Sequence, residues 1–246
     1  MPAKKPSHSA NAYGLARILS KRGYCSRAEA TELIRQGRVR VDGRTILDPE
    51  HRTRLDHRAI RVDGTLIGSL AKSVYLMLNK PRGLVTSSAD ELGRETVYAC
   101  FAGAELPRVI AVGRLDKASE GLLFFTNDTA WAERLTAPDG HVAKVYHVQV
   151  APPPSPQQLL AMRQGIEVEP GLVLAVTNVT LLRSGGITAW LEITLHEGKN
   201  RQIRRILEAI GLETRRLIRT AIGPQTLGDL PKGQWRHLSP TELAAF

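Results

Sequence analysis

Two ionisable side chains in the segment 113–116 could carry acid–base or nucleophilic chemistry. Arg114 and Asp116 follow an apolar stretch, residues 109–112, and a second apolar stretch begins at Leu122. Two flanking strands would hold this loop rigidly, and loops on rigid strands often carry catalytic groups. An Arg–Asp ion pair that braces a turn explains the same residues. Taken alone, the segment favours that structural interpretation.

A second candidate lies at the start of the apolar segment 144–150. Tyr146, Val148 and Val150 alternate and therefore share one face of a predicted strand. A tyrosine ring there could stack on an extruded nucleobase, because it offers a π face and a polar hydroxyl. A core tyrosine whose hydroxyl is hydrogen-bonded is the commoner case, and both interpretations stay open.

The segment 197–211 is a basic helix with one apolar face. That face carries Ile203, Ile206, Leu207 and Ile210, and Gly211 is predicted to end the helix. Arg201, Arg204 and Arg205 are therefore expected largely on the other side. Cations near a helix N-terminus oppose its dipole, which indicates anionic partners such as phosphates or a carboxylate. A basic turn after a strand, residues 79–83, is a weaker candidate.

Composition and charge narrow the classes of function. The chain has 246 residues, 42% of them hydrophobic, and a formal charge of +10. Residues 1–72 hold 15 Lys and Arg against 7 Asp and Glu, an imbalance that favours a polyanionic partner over a merely soluble basic surface. We expect no metal and no cofactor. The two cysteines are far apart, the histidines lack zinc-ligand spacing, and no glycine-rich nucleotide motif occurs.

The pattern of elements predicts an α+β fold with a small N-terminal unit. In residues 14–67, Ser26 and Glu29 form a capping-box pattern for the second of two helices, and Gly37 is expected to end it. Strands are predicted at 38–41 and 60–62, each followed by an Asp-Gly turn signal. The arginines of this unit that we expect near one another are Arg27, Arg35, Arg38 and Arg40.

Residues 74–240 are predicted to form a second domain with a mixed, mainly antiparallel sheet rather than a doubly wound one. Predicted strands are 74–79, 109–112, 122–126, 145–150 and 187–195, and a helix is predicted from Ser155-Pro156 to about Arg163. Residues 1–13 are expected to be a disordered basic arm and 68–73 a linker. Without an apolar run of ~20 residues or an apolar leader, we expect a cytoplasmic protein.

Taken in order, the candidate segments resemble the RsuA-type ribosomal RNA pseudouridine synthases. The matching phrases lie at 80–83, 113–128, 144–146 and 197–205, and residues 14–67 resemble the S4 RNA-binding domain. The resemblance covers the chain from about Leu15 to Leu238. It implies a cofactor-independent isomerase that converts a specific uridine in ribosomal RNA to pseudouridine, acting as a monomer on structured rRNA or a ribosome assembly intermediate.

The resemblance also implies roles for individual residues. Asp116 matches the catalytic aspartate, Tyr146 the base-stacking tyrosine and Arg204 the basic residue that pairs with the aspartate, with Arg201 a second choice for that pairing. The residues then expected to contact RNA are Arg27, Arg35, Arg38, Arg40, Lys80, Arg82, Arg114, Lys144, Lys199, Arg201 and Arg205.

Two other functions stay open at this stage. A non-catalytic RNA-binding protein would keep the S4-like unit and use the larger domain only as a scaffold. A glycosidase-like enzyme would hydrolyse the base away, and an inverting hydrolysis calls for two carboxylates that flank the bond. Asp116 has no obvious carboxylate partner in the sequence, which favours the isomerase over the hydrolase.

Overall fold

The structure, a computed structural model, describes residues 12–68, 71–88, 90, 92–137 and 140–246. The chain divides into two compact units. The first comprises the described residues up to Val74 with the short segments 106–109 and 127–129, and the second comprises the remainder to Phe246. Most of the expected arm 1–13 and part of the expected linker 68–73 lie outside the described residues. Ala12–Gly14 is a strand, so the expected arm was too long by two residues.

The described residues of the first unit form two helices and two small antiparallel sheets. Its elements are β1 (Ala12–Gly14), α1 (Leu15–Lys21), α2 (Arg27–Arg35), β2 (Val39–Val41), β3 (Arg44–Thr45), β4 (Arg52–Arg54), β5 (Ile60–Val62) and β6 (Thr65–Leu66). One sheet has the order β3-β2-β5-β6, and β1 pairs with β4. The buried faces of both helices and of β2 and β5 form one apolar core.

Local signals explain the elements of this unit. Ser26 Oγ accepts a hydrogen bond from the Glu29 amide, and the Glu29 carboxylate accepts one from the Ser26 amide, which completes the predicted capping box. Asp42 and Gly43 both have positive φ (50° and 77°), as the two central residues of a type I′ hairpin turn require. Val39 and Val41 are buried while Arg40 is exposed, so this strand has an apolar and a basic face.

In the second unit, nine strands of the described residues form one sheet. Its elements are β7 (Tyr75–Lys80), a 3-10 helix (Val97–Phe101), β8 (Ile110–Val112), β9 (Glu120–Thr126), α3 (Thr129–Thr136), β10 (Lys144–Ala151), α4 (Pro156–Gln164), β11 (Ile166–Glu169), β12 (Leu172–Leu174), β13 (Asn178–Ser184), β14 (Ala189–Leu195), α5 (Gln202–Ala209), β15 (Glu213–Ile222), β16 (Gln225–Thr226), β17 (Trp235–His237) and α6 (Pro240–Ala244). The main path is β13-β14-β10-β15-β9-β7-β17, with β8 on β9 and β16 on β15.

The predicted fold class is confirmed, with small differences in the bounds of elements. Strand pairs in the large sheet are antiparallel except β9 with β15. The strand predicted from Ile187 begins at Ala189, because Gly185 and Gly186 turn the chain and leave Ile187 80% exposed. The unit also continues past the predicted end at 240, since Phe246 packs its ring against Phe124 and Trp131.

Two apolar clusters hold this sheet in place. One joins β10, β14 and β15 to α4 and α5, and it includes Ile203, Ile206 and Leu207 of the predicted apolar helix face. The other surrounds Phe124 and Trp131. Over the described residues, no helix combines the length and the apolar character needed to cross a bilayer.

Gly121 allows the parallel strands β9 and β15 to approach each other closely. Its φ is +101°, a backbone conformation that side chains disfavour. A Cβ atom at this position would lie 2.3 Å from the carbonyl oxygen of Arg219. The glycine therefore sets how Arg219 lies against the start of β9.

We expect Gly121→Ala to lower the free energy of unfolding by about 2–4 kcal/mol, because the added methyl group forces the two strands apart. Gly186→Ala is the matched control, since a Cβ there meets nothing within 4 Å. Its effect should stay within about 0.5 kcal/mol. Urea denaturation measures both variants, and equal stabilities would show that the close approach of the strands is not required.

Candidate functional site

The loop that carries Asp116 is hydrogen-bonded to the segment after β7, residues 83–86. The loop connects β8 to β9, and the Asp116 side chain is 39% exposed. The Gly83 amide donates to the Lys117 carbonyl over 2.7 Å. Thr86 Oγ1 donates to the Leu115 carbonyl over 2.8 Å. The basic turn after β7, weak as a motif by itself, thus positions the Asp116 loop.

Lys80 belongs to this support rather than to an RNA-binding surface. Its side chain is fully buried, and Nζ donates to the carbonyls of Ser119 (2.8 Å) and Pro81 (3.0 Å). The prediction that Lys80 contacts RNA is therefore wrong, because the ammonium group is enclosed by the protein. Burial lowers the pKa of Lys80 to about 8, although the nearby negative charge of Asp116 opposes the shift.

Two guanidinium groups from the start of α5 flank the Asp116 carboxylate. Arg201 Nη1 and Arg204 Nε each lie 3.8 Å from Asp116 Oδ2, which is an ion-pair distance and too long for a hydrogen bond. Arg204 Nη2 also donates to the Ala118 carbonyl over 3.3 Å. Burial lowers the pKa of Arg204, and the positive charges of Arg201 and Arg82 act in the same direction while Asp116 opposes them.

Arg204 and Arg205 do not simply face solvent on the side of the helix opposite its apolar face. Arg204 is only 13% exposed and turns toward Asp116. Arg205 forms an ion pair with Glu169 over 2.8 Å. The anionic partners expected near this helix start therefore include protein carboxylates. Arg205 was predicted to contact RNA, but its guanidinium group pairs with the Glu169 carboxylate instead.

Gln202, which the sequence analysis passed over, shapes the turn into α5. The side chain is buried, and its Nε2 donates to Glu197 Oε1 (2.7 Å) and the Ala175 carbonyl (2.9 Å). Lys199 pairs with the same glutamate over 3.0 Å. Arg201, the residue before the helix, adopts a left-handed φ of 48°. A polar residue beside Ile203 on the apolar helix face was the signal that could have identified Gln202.

These side chains line a cleft of about 560 Å³ in the second unit. Asp116, Tyr146 and Arg204 share its walls, and Arg114 lies on it as well. Among the described residues, six cationic side chains and two carboxylates line the cleft; the cations are Arg114, Lys144, Lys199, Arg201, Arg204 and Arg219. This excess of positive charge suits an anionic ligand.

Tyr146 occupies the strand β10, next to the apolar core. It is half-buried and packs against the cluster that contains the helix α5. Its Cα lies opposite Ile193 of β14 and Arg219 of β15. Residues directly opposite on antiparallel strands share one sheet face, so the Tyr146 and Arg219 side chains lie side by side.

Arg219 is the second residue that the sequence analysis missed. It is 5% exposed, and its Nε donates to the Leu122 carbonyl over 2.7 Å. Leu217 and Ala221, two residues away on either side, are buried on the same strand face. A basic residue at a position where alternation predicts burial was the available signal.

The remaining predicted RNA contacts lie at the surface of each unit. Arg82 is exposed in the turn after β7. In the first unit Arg27, Arg35 and Arg40 are exposed, whereas Arg38 is bound to Asp63 over 2.6 Å. That these four arginines lie near one another stays a prediction. In the part of the chain that the structure describes, no group of three or more His, Cys, Asp or Glu side chains could hold a metal ion.

Comparisons with known proteins agree with this division of the chain. A family model described as RNA pseudouridylate synthase matches residues 74–209, and an S4 domain model matches residues 14–56. An uncharacterized RNA pseudouridine synthase of Rickettsia conorii is 40% identical over 92% of this chain and 96% of its own. The ribosomal large subunit pseudouridine synthase B of Bacillus subtilis is 33% identical over 93% of each chain.

One solved structure is also similar over almost the whole chain. A crystal structure of a pseudouridylate synthase aligns with a TM-score of 0.67 and 27% identity. It covers 95% of this chain and 99% of that chain. The similarity therefore includes both the residues of the small N-terminal unit and those of the large sheet.

The burial of Lys80 predicts how the free energy of unfolding depends on pH. Because its pKa is about 8 in the folded chain and 10.5 as a reference, the unfolded chain binds more protons between these values. Its contribution to stability therefore rises with pH across that window and is lost as pH falls through 8. We expect Lys80→Met to show a smaller rise in the free energy of unfolding from pH 8 to 10.5 than the wild type.

Lys72→Met is the control, since Lys72 is exposed. Its pH dependence should match that of the wild type in chemical denaturation at each pH. Parallel curves for Lys80→Met and the wild type would contradict the buried, deprotonating lysine.

Proposed function

This chain belongs to the RNA pseudouridylate synthase family, and we propose that it isomerises a uridine of ribosomal RNA with Asp116 as the catalytic carboxylate. The observation that carries the proposal is a carboxylate whose Oδ2 lies 3.8 Å from each of two guanidinium groups, in a cleft that Tyr146 also lines. The ribosomal substrate is supported by the Bacillus subtilis relative, whose name refers to the large ribosomal subunit.

The first step is extrusion of the target uridine from its stack. Unstacking costs a few kcal/mol, and stacking on the Tyr146 ring returns about 1–3 kcal/mol of this. The cleft volume of about 560 Å³ leaves room for a nucleotide. The positive charge of the cleft also attracts the phosphates of the RNA strand that carries this nucleotide.

Asp116 then acts at the ribose. The N1–C1′ bond breaks with its electron pair on the base, and the carboxylate either bonds to C1′ or removes the 2′ proton to give a glycal. The base turns and C5 bonds to C1′, which breaks the bond between C1′ and the carboxylate or, from the glycal, is accompanied by return of the proton to C2′. The C5 proton then passes to the Asp116 carboxylate and on to water. Arg201 and Arg204 orient the carboxylate through their ion pairs with Asp116 Oδ2.

RNA binding outside the cleft is assigned to the first unit. We propose that residues 14–67 act as an S4-like domain through Arg27, Arg35 and Arg40, and that residues 74–240 act as the catalytic domain. Phosphate contacts of this kind orient an RNA without reading its sequence. Arg38 contributes less, since Asp63 already neutralises it. We further propose that the reaction takes place in the cytoplasm, on rRNA or an assembly intermediate, and that the chain acts as a monomer.

One assay separates the proposed activity from its two alternatives. Ribosomal 16S and 23S transcripts that carry tritium at uridine C5 are incubated with the protein. An isomerase releases tritium to water while the strand stays intact, a base hydrolase releases free uracil, and a non-catalytic binder releases neither. Mapping pseudouridine in the treated transcripts then identifies the target.

Asp116→Asn removes the charge while it keeps the size of the side chain. We expect tritium release to fall at least about 10³-fold with RNA affinity retained, because the reacting carboxylate is lost. Asp229→Asn makes the same chemical change at an exposed position away from the cleft and should behave as the wild type. Turnover by Asp116→Asn would refute the assignment of the catalytic carboxylate.

Arg40→Ala tests the basic face of the first unit. A phosphate contact by Arg40 predicts a slope of log affinity against log salt that is shallower by about 0.7–0.9. Arg54→Ala is the control, because the Arg54 guanidinium already pairs with Asp56 at 2.9 Å. Filter binding of rRNA fragments at several salt concentrations measures both, and an unchanged slope for Arg40→Ala would place the RNA elsewhere.

A further inference from the structure

A buried arginine in the candidate active site has a donor that the described protein does not use. Arg219 is 95% buried on strand β15, and it lines the cleft together with Asp116 and Tyr146. Within the described residues, its Nη2 group has no hydrogen-bond partner. A buried guanidinium N–H without a partner costs free energy, and such groups in native proteins call for an explanation.

The position of this guanidinium group is set by the backbone of β9. Nε donates to the Leu122 carbonyl over 2.7 Å, which fixes the plane of the group. Gly121 lets the Arg219 backbone approach β9, since any Cβ at residue 121 would collide with it. A donor that is fixed before ligand arrives loses little entropy when the ligand binds.

The neighbours of Arg219 indicate what its partner must be. Tyr146 lies directly opposite on β10, so a base stacked on its ring would come next to the guanidinium. Burial lowers the pKa of the Lys144 ammonium group, and the positive charge of nearby Arg219 lowers it further. Among the described residues, Arg219 takes part in no ion pair, so two cations meet here without a carboxylate between them. An acceptor with negative charge fits this place.

We propose that Arg219 donates a hydrogen bond to a carbonyl oxygen of the flipped uracil and stabilises the base as it leaves C1′. This inference rests on the proposed function and adds a catalytic residue to it. Phosphates stay with the RNA chain at the mouth of a cleft, whereas a nine-tenths buried donor beside the stacking ring meets the base.

The charge on the base explains why such a donor accelerates the reaction. When the N1–C1′ bond breaks, its electron pair remains on uracil, and the negative charge spreads over N1, O2 and O4. This holds whether C1′ bonds to the Asp116 carboxylate or C2′ loses its proton to give the glycal. A preorganised donor aimed at the oxygen where charge develops lowers the barrier.

Uracil also keeps such a contact after it turns. Rotation by a half-turn about the N3–C6 axis exchanges N1 with C5 and O2 with O4. A fixed donor that binds O2 in the uridine therefore meets O4 once C5 faces C1′. One guanidinium group serves both orientations of the base, up to the step in which C5 bonds to C1′ and its proton leaves.

The test is single-turnover tritium release by Arg219→Met with the enzyme in excess. Tritiated 16S, 23S and tRNA transcripts are assayed separately. We expect the rate at saturation to fall about 10²–10³-fold, as for loss of one oxyanion donor, while RNA affinity stays within about threefold. Arg236→Met is the control, because Arg236 pairs with Glu242 at the surface and should leave the rate unchanged.

A second readout distinguishes catalysis from a purely structural role. Arg219→Ala opens a space beside the Leu122 carbonyl, and guanidinium chloride at low, non-denaturing concentration should restore tritium release in a saturable manner. Urea at the same concentration should not, nor should guanidinium restore Asp116→Asn. Arg219→Lys, which keeps the charge but not the planar fork, should recover only part of the rate.

Three results would overturn the proposal. Weaker RNA binding with a shallower salt slope and an unchanged saturated rate would make Arg219 a phosphate contact. Variants that lose folding, with no rescue by guanidinium, would leave Arg219 a role in the sheet alone. A wild-type rate in Arg219→Met would remove it from the reaction.

Wild-type release from tRNA only would refute the ribosomal substrate, and the Arg219 comparison would then be made on tRNA.

Discussion

The candidate active site depends on how firmly the loop that carries Asp116 is held. Lys80 Nζ donates to the Ser119 carbonyl, the Gly83 amide donates to the Lys117 carbonyl, and Arg204 Nη2 donates to the Ala118 carbonyl. Three consecutive carbonyls of this short loop are thus hydrogen-bonded, which restricts the backbone next to Asp116. The buried Lys80 ammonium group opposes folding, since burial disfavours the charged form of a lysine side chain.

Positive charge in excess of its protein partners is the second feature of the site. Asp116 lies at ion-pair distance from Arg201 and Arg204 without a hydrogen bond to either, so both guanidinium groups keep donors for a ligand. By contrast Arg205, only one residue further along the helix, is committed to Glu169. Adjacent arginines on one helix thus serve different purposes: some face the cleft, and one fastens the helix to the strand β11.

The glycine-leucine phrase after the Asp116 loop also has a physical role. Gly121 and the Leu122 carbonyl together determine where the Arg219 backbone and guanidinium lie. The only parallel pair of strands among those described in the large sheet, β9 with β15, is formed at this point. A feature that supports the sheet therefore also orients a donor in the cleft, which links the geometry of the fold to the chemistry of the base.

The sequence alone determined what depends on near neighbours. Capping residues, Asp-Gly turns and alternating apolar residues act over two to four positions, so Ser26, Asp42 and the strand at 145–150 were predicted with small errors in their bounds. The order of the motifs, through a family resemblance, identified Asp116, Tyr146 and Arg204 as candidates. Only the tertiary structure decided that Lys80 is buried and that Arg219 enters the cleft, because the partners of these side chains lie 39 and 97 residues away. Burial and pairing of a long cationic side chain depend on which distant backbone reaches it, and no local pattern encodes that.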